Sequence, residues 1–140
     1  MNIYFAGSVR SGRDDADAYF RIIEHLKKFG EVLTEHLGSQ GLTTLGQQDA
    51  PDNHIHDRDI AWVMKADVVV AEVSTPSTGV GYEIGRAVEH KKKVLCLYRP
   101  QEGKRLSAMI AGSADVTTRE YATIEDAKNI MDNYFSTLHL

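Results

Sequence analysis

One run in this 140-residue chain, Val68-Val69-Val70-Ala71-Glu72-Val73, leaves few folds open. Apolar residues that do not alternate with polar ones describe a strand buried on both faces, and such strands belong to parallel sheets covered by helices. Shorter apolar runs are Ile3 to Ala6 and Val94 to Tyr98; Glu31 to Glu35 is β-like without being an apolar run, and Arg119 to Ala122 has room for a fifth strand. Helical stripes alternate with them. Asp14 and Asp15 precede Ala16, Tyr19, Phe20, Ile23 and Leu26, which step by three and four along one helix face; Lys27, Lys28 and Gly30 suit its end, the glycine as a cap. Asp57 to Lys65 reads as a short helix with Ile60, Val63 and Met64 on one side, Val80 to His90 as another, and Arg105 to Ile110 as a short one. Thr123 with Asp126 has the form of a capping box and opens a last helix to about Leu138, with Ile124, Ala127, Ile130, Met131 and Tyr134 inward. The alternation predicts an α/β class: one domain over residues 1–140, a Rossmann-like (flavodoxin-like) five-stranded parallel sheet with helices on both faces. Leu37 to Pro51, with Gly38, Gly41 and Gly46, shows no period and is long for a loop.

Composition narrows the function classes. Hydrophobic residues make up 42% and charged residues 26%, which suits a packed core and excludes a disordered chain. A formal charge of −4 argues against DNA or RNA as a main partner, although a few local arginines suffice for one phosphate. No apolar run approaches the roughly 20 residues that span a bilayer, so no membrane partner is expected. MNIYFAGSVR has no basic region ahead of a long apolar stretch, and no signal peptide is expected. The lone Cys96 sits in an apolar run and fits core packing in a reducing compartment; the cytoplasm, with the nucleus second, is the expected location.

In a sheet of this kind, ligands bind at the C-terminal strand ends near the switch in strand order. The loop after the first strand reads Gly7-Ser8-Val9-Arg10-Ser11-Gly12-Arg13. It offers a sharp turn, hydroxyls and forked donors for a phosphate, followed by a helix start with unpaired amides. It could equally be a glycine-rich turn with solvated arginines. It is neither a Walker A loop nor the G-x-G-x-x-G fingerprint. The loop after Val73 reads Ser74-Thr75-Pro76-Ser77-Thr78-Gly79 and leads to Glu83, a carboxylate among Gly81, Tyr82, Ile84 and Gly85. A carboxylate at the mouth of a parallel sheet suits a nucleophile or base, and it also suits a helix dipole. His54-Ile55-His56-Asp57-Arg58-Asp59 clusters titratable groups. Metal-ligand spacing is absent there, and the plainer reading is a polar helix start with Asp57 near the N-cap. The sharper reading sets Asp59 opposite Glu83, since glycosidic cleavage needs two carboxylates with separate roles. Tyr4 reads as core with a hydroxyl that needs a partner, and Trp62 as packing; His36, after a strand end, could touch a ligand or lie free on the surface.

Taken together, IYFAGSVRSGR, VLTEH, IHDRDIAWVMKADVVVAEVSTPSTGVGYEIGRA and LCLYRPQEGKRLSAMI resemble the nucleoside 2-deoxyribosyltransferase family, and within it the N-hydrolases of 2′-deoxynucleoside 5′-phosphates. The likeness runs in order along nearly the whole chain. It implies cleavage of the N-glycosidic bond of deoxynucleoside 5′-monophosphates. By position, Glu83 resembles the nucleophile, Asp59 the carboxylate that assists the leaving base, and Tyr4 the tyrosine near the sugar. Ser8, Val9, Arg10, Gly12 and Ser77 match the phosphate pocket. Ser107 matches a serine supplied by the neighbouring subunit, which implies a homodimer with shared sites. Gly7, Ile55, His36 and Gly79 match positions near sugar and base. The resemblance implies no metal and no organic cofactor. A deoxyribosyltransferase, a ribonucleotide hydrolase acting on CMP, and a non-catalytic nucleotide sensor on the same fold remain as alternatives.

Overall fold

The computed structural model describes residues 1–9, 13–34 and 50–140. In chain order its elements are β1 (Asn2–Ala6), α1 (Arg13–Leu26), β2 (Glu31–Val32), α2 (Asp52–Lys65), β3 (Val68–Glu72), α3 (Thr78–Glu89), β4 (Lys93–Tyr98), α4 (Ala108–Ala111), β5 (Thr117–Glu120) and α5 (Ile124–Ser136). The five strands form one sheet in the order β2-β1-β3-β4-β5, and every pairing is parallel. The non-alternating run at Val68 is the centre of that sheet, with all five residues of β3 buried.

Strand side chains point to opposite faces in turn, and two cores result. Ile3, Phe5, Val68, Val70, Leu95 and Leu97 face α1 and α5. Tyr4, Ala6, Val69, Ala71, Val94 and Cys96 face α2 and α3. Cys96 is a core residue whose thiol burial pushes up to about 12, far from reactive. Among the described residues no helix is long and apolar enough to cross a membrane.

Several boundaries differ from expectation. In α1 the buried stripe runs through Ala18, Tyr19, Ile22, Ile23 and Leu26, while Phe20 is 44% exposed. Gly30 is not a left-handed cap: Gly103 is the only described glycine with positive φ, and a Cβ at Gly30 would overlap the carbonyl oxygen of Met1. The glycine lets the chain pass close beside β1, where Glu31 N donates to Met1 O at 3.0 Å. β2 is shorter than Glu31 to Glu35, because Thr34 replaces the ladder with its side chain: its Oγ1 accepts from Phe5 N at 2.9 Å and donates to Phe5 O at 2.7 Å. Glu35 and most of the aperiodic segment lie outside the described residues. α2 starts at Asp52 behind an extended Pro51, so Asp57 is interior to the helix rather than near its cap. α4 is only Ala108–Ala111, and β5 lies two residues earlier than expected. The capping box at Thr123 and Asp126 is present in full.

Candidate active site

The strand order reverses between β1 and β3, the place beside which sheets of this kind take their ligands. Tyr4 is the inward residue of β1 on the α2/α3 face and is 1% exposed. Its hydroxyl needs a partner there and donates to Oε2 of Glu83 in a short contact. That places Glu83 directly over the switch point. Ser77 caps α3, its Oγ accepting from Val80 N at 3.2 Å, and the helix runs from Thr78. Glu83 therefore sits in the second turn rather than the first, where the helix dipole no longer explains it.

Burial pushes the Glu83 carboxyl from an ordinary value near 4.5 up to about 7; the Tyr4 hydrogen bond opposes that rise, and the Asp59 charge adds to it. The Tyr4 hydroxyl is held far above its usual range by burial and by the charge of Glu83, with Asp59 contributing. Tyr4, Glu83 and Asp59 thus form one electrostatic group. Asp59 is itself clasped by Arg58, whose Nε and Nη2 both lie 3.0 Å from Oδ1, and the Arg58 guanidinium rests 5.0 Å from the centre of the Trp62 ring. Trp62 therefore supports the arginine that holds Asp59, beyond simple packing.

The other expected residues fall around this group. Ile55 is half-buried on α2, one turn before Asp59 and on the same helix face. A Cβ at Gly79 would stand 3.9 Å from Glu83 Oε1, so this position borders the carboxyl directly. Gly7 is pressed against α1 and β1: a Cβ there would meet the Tyr19 ring at 2.8 Å and the Phe5 ring at 3.1 Å. Ser8 is buried and Val9 half-buried. Ser77 and Ser107 line one cavity of about 570 Å³ between α3 and α4. Ser107 is exposed and accepts from Met109 N at 3.2 Å. Arg10, Gly12 and His36 lie outside the described residues. Of the clustered histidines, His56 binds Asp57 and the Tyr82 hydroxyl, each at 2.9 Å. Among the described residues no group of three or more His, Cys, Asp or Glu could hold a metal ion.

Two further buried carboxylates, to which sequence reading gave no functional role, lie on the α1/α5 side of the sheet. Glu72, 1% exposed at the end of β3, accepts from Ser74 N at 2.7 Å, from Ser74 Oγ at 2.8 Å and from the Tyr121 hydroxyl in a short contact. Burial raises its carboxyl, and these hydrogen bonds oppose the rise. Asp15, 5% exposed in the first turn of α1, accepts from Thr75 Oγ1 at 2.6 Å and from Arg99 Nη2 at 3.2 Å. The only signal for Glu72 was a charge inside an otherwise apolar strand, which needs buried partners. Asp15 gave no signal distinct from the helix-start preference of aspartate.

A buried tyrosine on a carboxylate and a second carboxylate on the adjoining helix stand beside the switch in strand order. A model of the nucleoside 2-deoxyribosyltransferase family matches residues 3–133. The chain belongs to that family. A protein of Nematostella vectensis, provisionally named 2′-deoxynucleoside 5′-phosphate N-hydrolase 1, is 54% identical over 141 residues, covering 97% of this chain and 95% of its own. The 5-hydroxymethyl-dUMP N-hydrolase of Tetraodon nigroviridis is 49% identical over 140 residues, covering 97% of this chain and 98% of its own. The solved structure of the Clostridium botulinum CMP N-glycosidase superposes with a TM-score of 0.68 at 18% identity, over 94% of this chain and 99% of that one, a likeness of fold.

Proposed function

We propose that this chain hydrolyses the N-glycosidic bond of 2′-deoxynucleoside 5′-monophosphates, releasing 2-deoxyribose 5-phosphate and the free base. The observation that carries the reading is the Tyr4–Glu83 contact, which aims a carboxylate at the ligand-binding end of the sheet. The names of relatives about half identical to this chain support the substrate class.

In this reading, Glu83 attacks C1′ and forms a glycosyl ester while Asp59 passes a proton to the departing base. Water then attacks C1′, returns a proton to Asp59 and frees Glu83. The scheme uses no metal or organic cofactor. Tyr4 fixes the carboxylate that attacks. Gly7, Ile55, Gly79 and His36 border sugar and base. Ser8, Val9, Arg10, Gly12 and Ser77 take the phosphate, joined by Ser107 of a second copy in a homodimer. Surface chemistry favours that pairing: α4 exposes 83% of Met109 beside the apolar cavity that Ser107 lines.

The test is a panel of ribo- and deoxyribonucleoside monophosphates, 5-hydroxymethyl-dUMP included, assayed chromatographically with and without a second base. Free base should appear from the deoxynucleotides, and Glu83→Ala should abolish it. Full activity in that variant would remove Glu83 from the mechanism. A new nucleoside formed with the added base would make the protein a transferase, and tight binding without turnover would make it a sensor.

A further inference from the structure

Resting on that nucleotide reading, we propose that Asp15 is a positioning residue for the phosphate end of the site, acting through Thr75 and Arg99. Its two oxygens face different elements. Oδ2 accepts from Thr75 in the loop after β3, and Oδ1 accepts from Arg99 in the segment after β4. Asp15 itself lies in the first turn of α1, directly after the β1 loop that holds Ser8. One carboxylate therefore ties together the chain beyond three neighbouring strands.

Ser74, the residue before Thr75, is held as well. Ser74 donates its N–H and its hydroxyl to Glu72, and the same hydroxyl accepts from Arg99 N at 2.8 Å. Ser74 and Thr75 are thus locked on both sides, and Ser77 follows two residues later as the cap of α3. The placement of Ser77 relative to Ser8 depends on this lock. A helix dipole does not account for the burial of Asp15, since an exposed aspartate would serve it as well. A nearly buried carboxylate persists where its partners are fixed, and here the partners are a hydroxyl and a guanidinium from two other loops.

The network includes Glu72 and Tyr121, which belong to the α1/α5 side of the sheet, whereas Tyr4 and Glu83 meet on the α2/α3 side. Loosening it should therefore weaken the grip on the phosphate and leave bond cleavage in place. The variants are Asp15→Asn, Thr75→Val and Thr75→Ser. Thr75→Val keeps the volume of a half-buried side chain and deletes one donor, so it remains informative if Asp15→Asn folds poorly. Thr75→Val should raise KM for a deoxynucleoside monophosphate by about fivefold to tenfold, the worth of one lost hydrogen bond, with kcat within about twofold. The inhibition constant of 2-deoxyribose 5-phosphate should rise by the same factor while that of the free base stays fixed. Thr75→Ser should restore both. A structural role alone would lower the active fraction, and hence kcat, without moving either inhibition constant. Wild-type KM and product inhibition in Thr75→Val, or a loss confined to kcat, would overturn the proposal. Wild-type protein that releases no base from any nucleotide would instead bring down the functional reading, and this proposal with it.

Discussion

Glu83 combines two opposing influences that can be separated one residue at a time. With its carboxyl pushed up to about 7, a nucleophilic role requires deprotonation, so kcat/KM should climb as pH rises through that value. Tyr4→Phe removes the hydrogen bond that favours the charged form, and the Glu83 midpoint should move up. Asp59→Asn removes a like charge, and the midpoint should move down. Carbon-13 NMR of the glutamate carboxyls reads both shifts even where turnover is lost; shifts of the same sign in the two variants would contradict the assigned causes. Linkage has a matching sign. A carboxyl whose pKa is higher folded than unfolded takes up protons on folding, so its contribution to stability is complete below about 4.5 and is lost as pH rises through about 7. At this scale, the residues around Glu83 left a helix-dipole role and a catalytic one equally open, and it was the family resemblance that singled the carboxylate out. Tyr4 was half-legible: its burial was evident, but the partner was 79 residues away. Asp15 was illegible for the same reason, with partners 60 and 84 residues off and a helix-start position that any aspartate can fill.

Among the elements, period and apolar runs located the three central strands and most of the described helices, because burial on one stripe or two faces leaves a local imprint; the edge strands β2 and β5 left a fainter one. The ends moved wherever a non-local contact set them. Gly30 shows how. By composition it suited a left-handed helix cap, yet the structure uses its missing side chain to let the α1–β2 connection lie against Met1. Gly30→Ala should therefore destabilise the fold by about 1–3 kcal/mol through overlap with the β1 backbone. Asparagine tolerates left-handed backbone but carries a Cβ. Gly30→Asn should be at least as harmful as alanine in urea unfolding; a milder asparagine variant would reinstate the cap. The starts of α2 and α3 moved forward for a similar reason, since Pro51 and Ser77 act at positions that apolar periodicity does not mark.

For the molecule as a whole, parallel order and a charge of −4 point to a small ligand at the strand ends rather than a polymer along the surface. Whether one chain completes that site depends on Ser107. It shares a cavity with Ser77 within the chain, yet it lies exposed on a four-residue helix whose Met109 is almost bare, a surface suited to a second copy. The two arrangements differ in a mixing experiment. Ser107→Asp keeps a helix-capping side chain but sets a negative charge against the phosphate. Alone, it should raise KM, and Glu83→Ala alone should be inactive. If Ser107 serves the partner's site, a mixed dimer contains one site with both native residues, and random re-pairing of equal amounts should recover about a quarter of wild-type activity at low substrate. If Ser107 serves its own chain's site, each site of the mixed dimer carries one lesion and nothing is recovered. Activity that stays flat in dimers confirmed as mixed by mass spectrometry would assign Ser107 to its own chain, and the exposed Met109 face would then need another occupant.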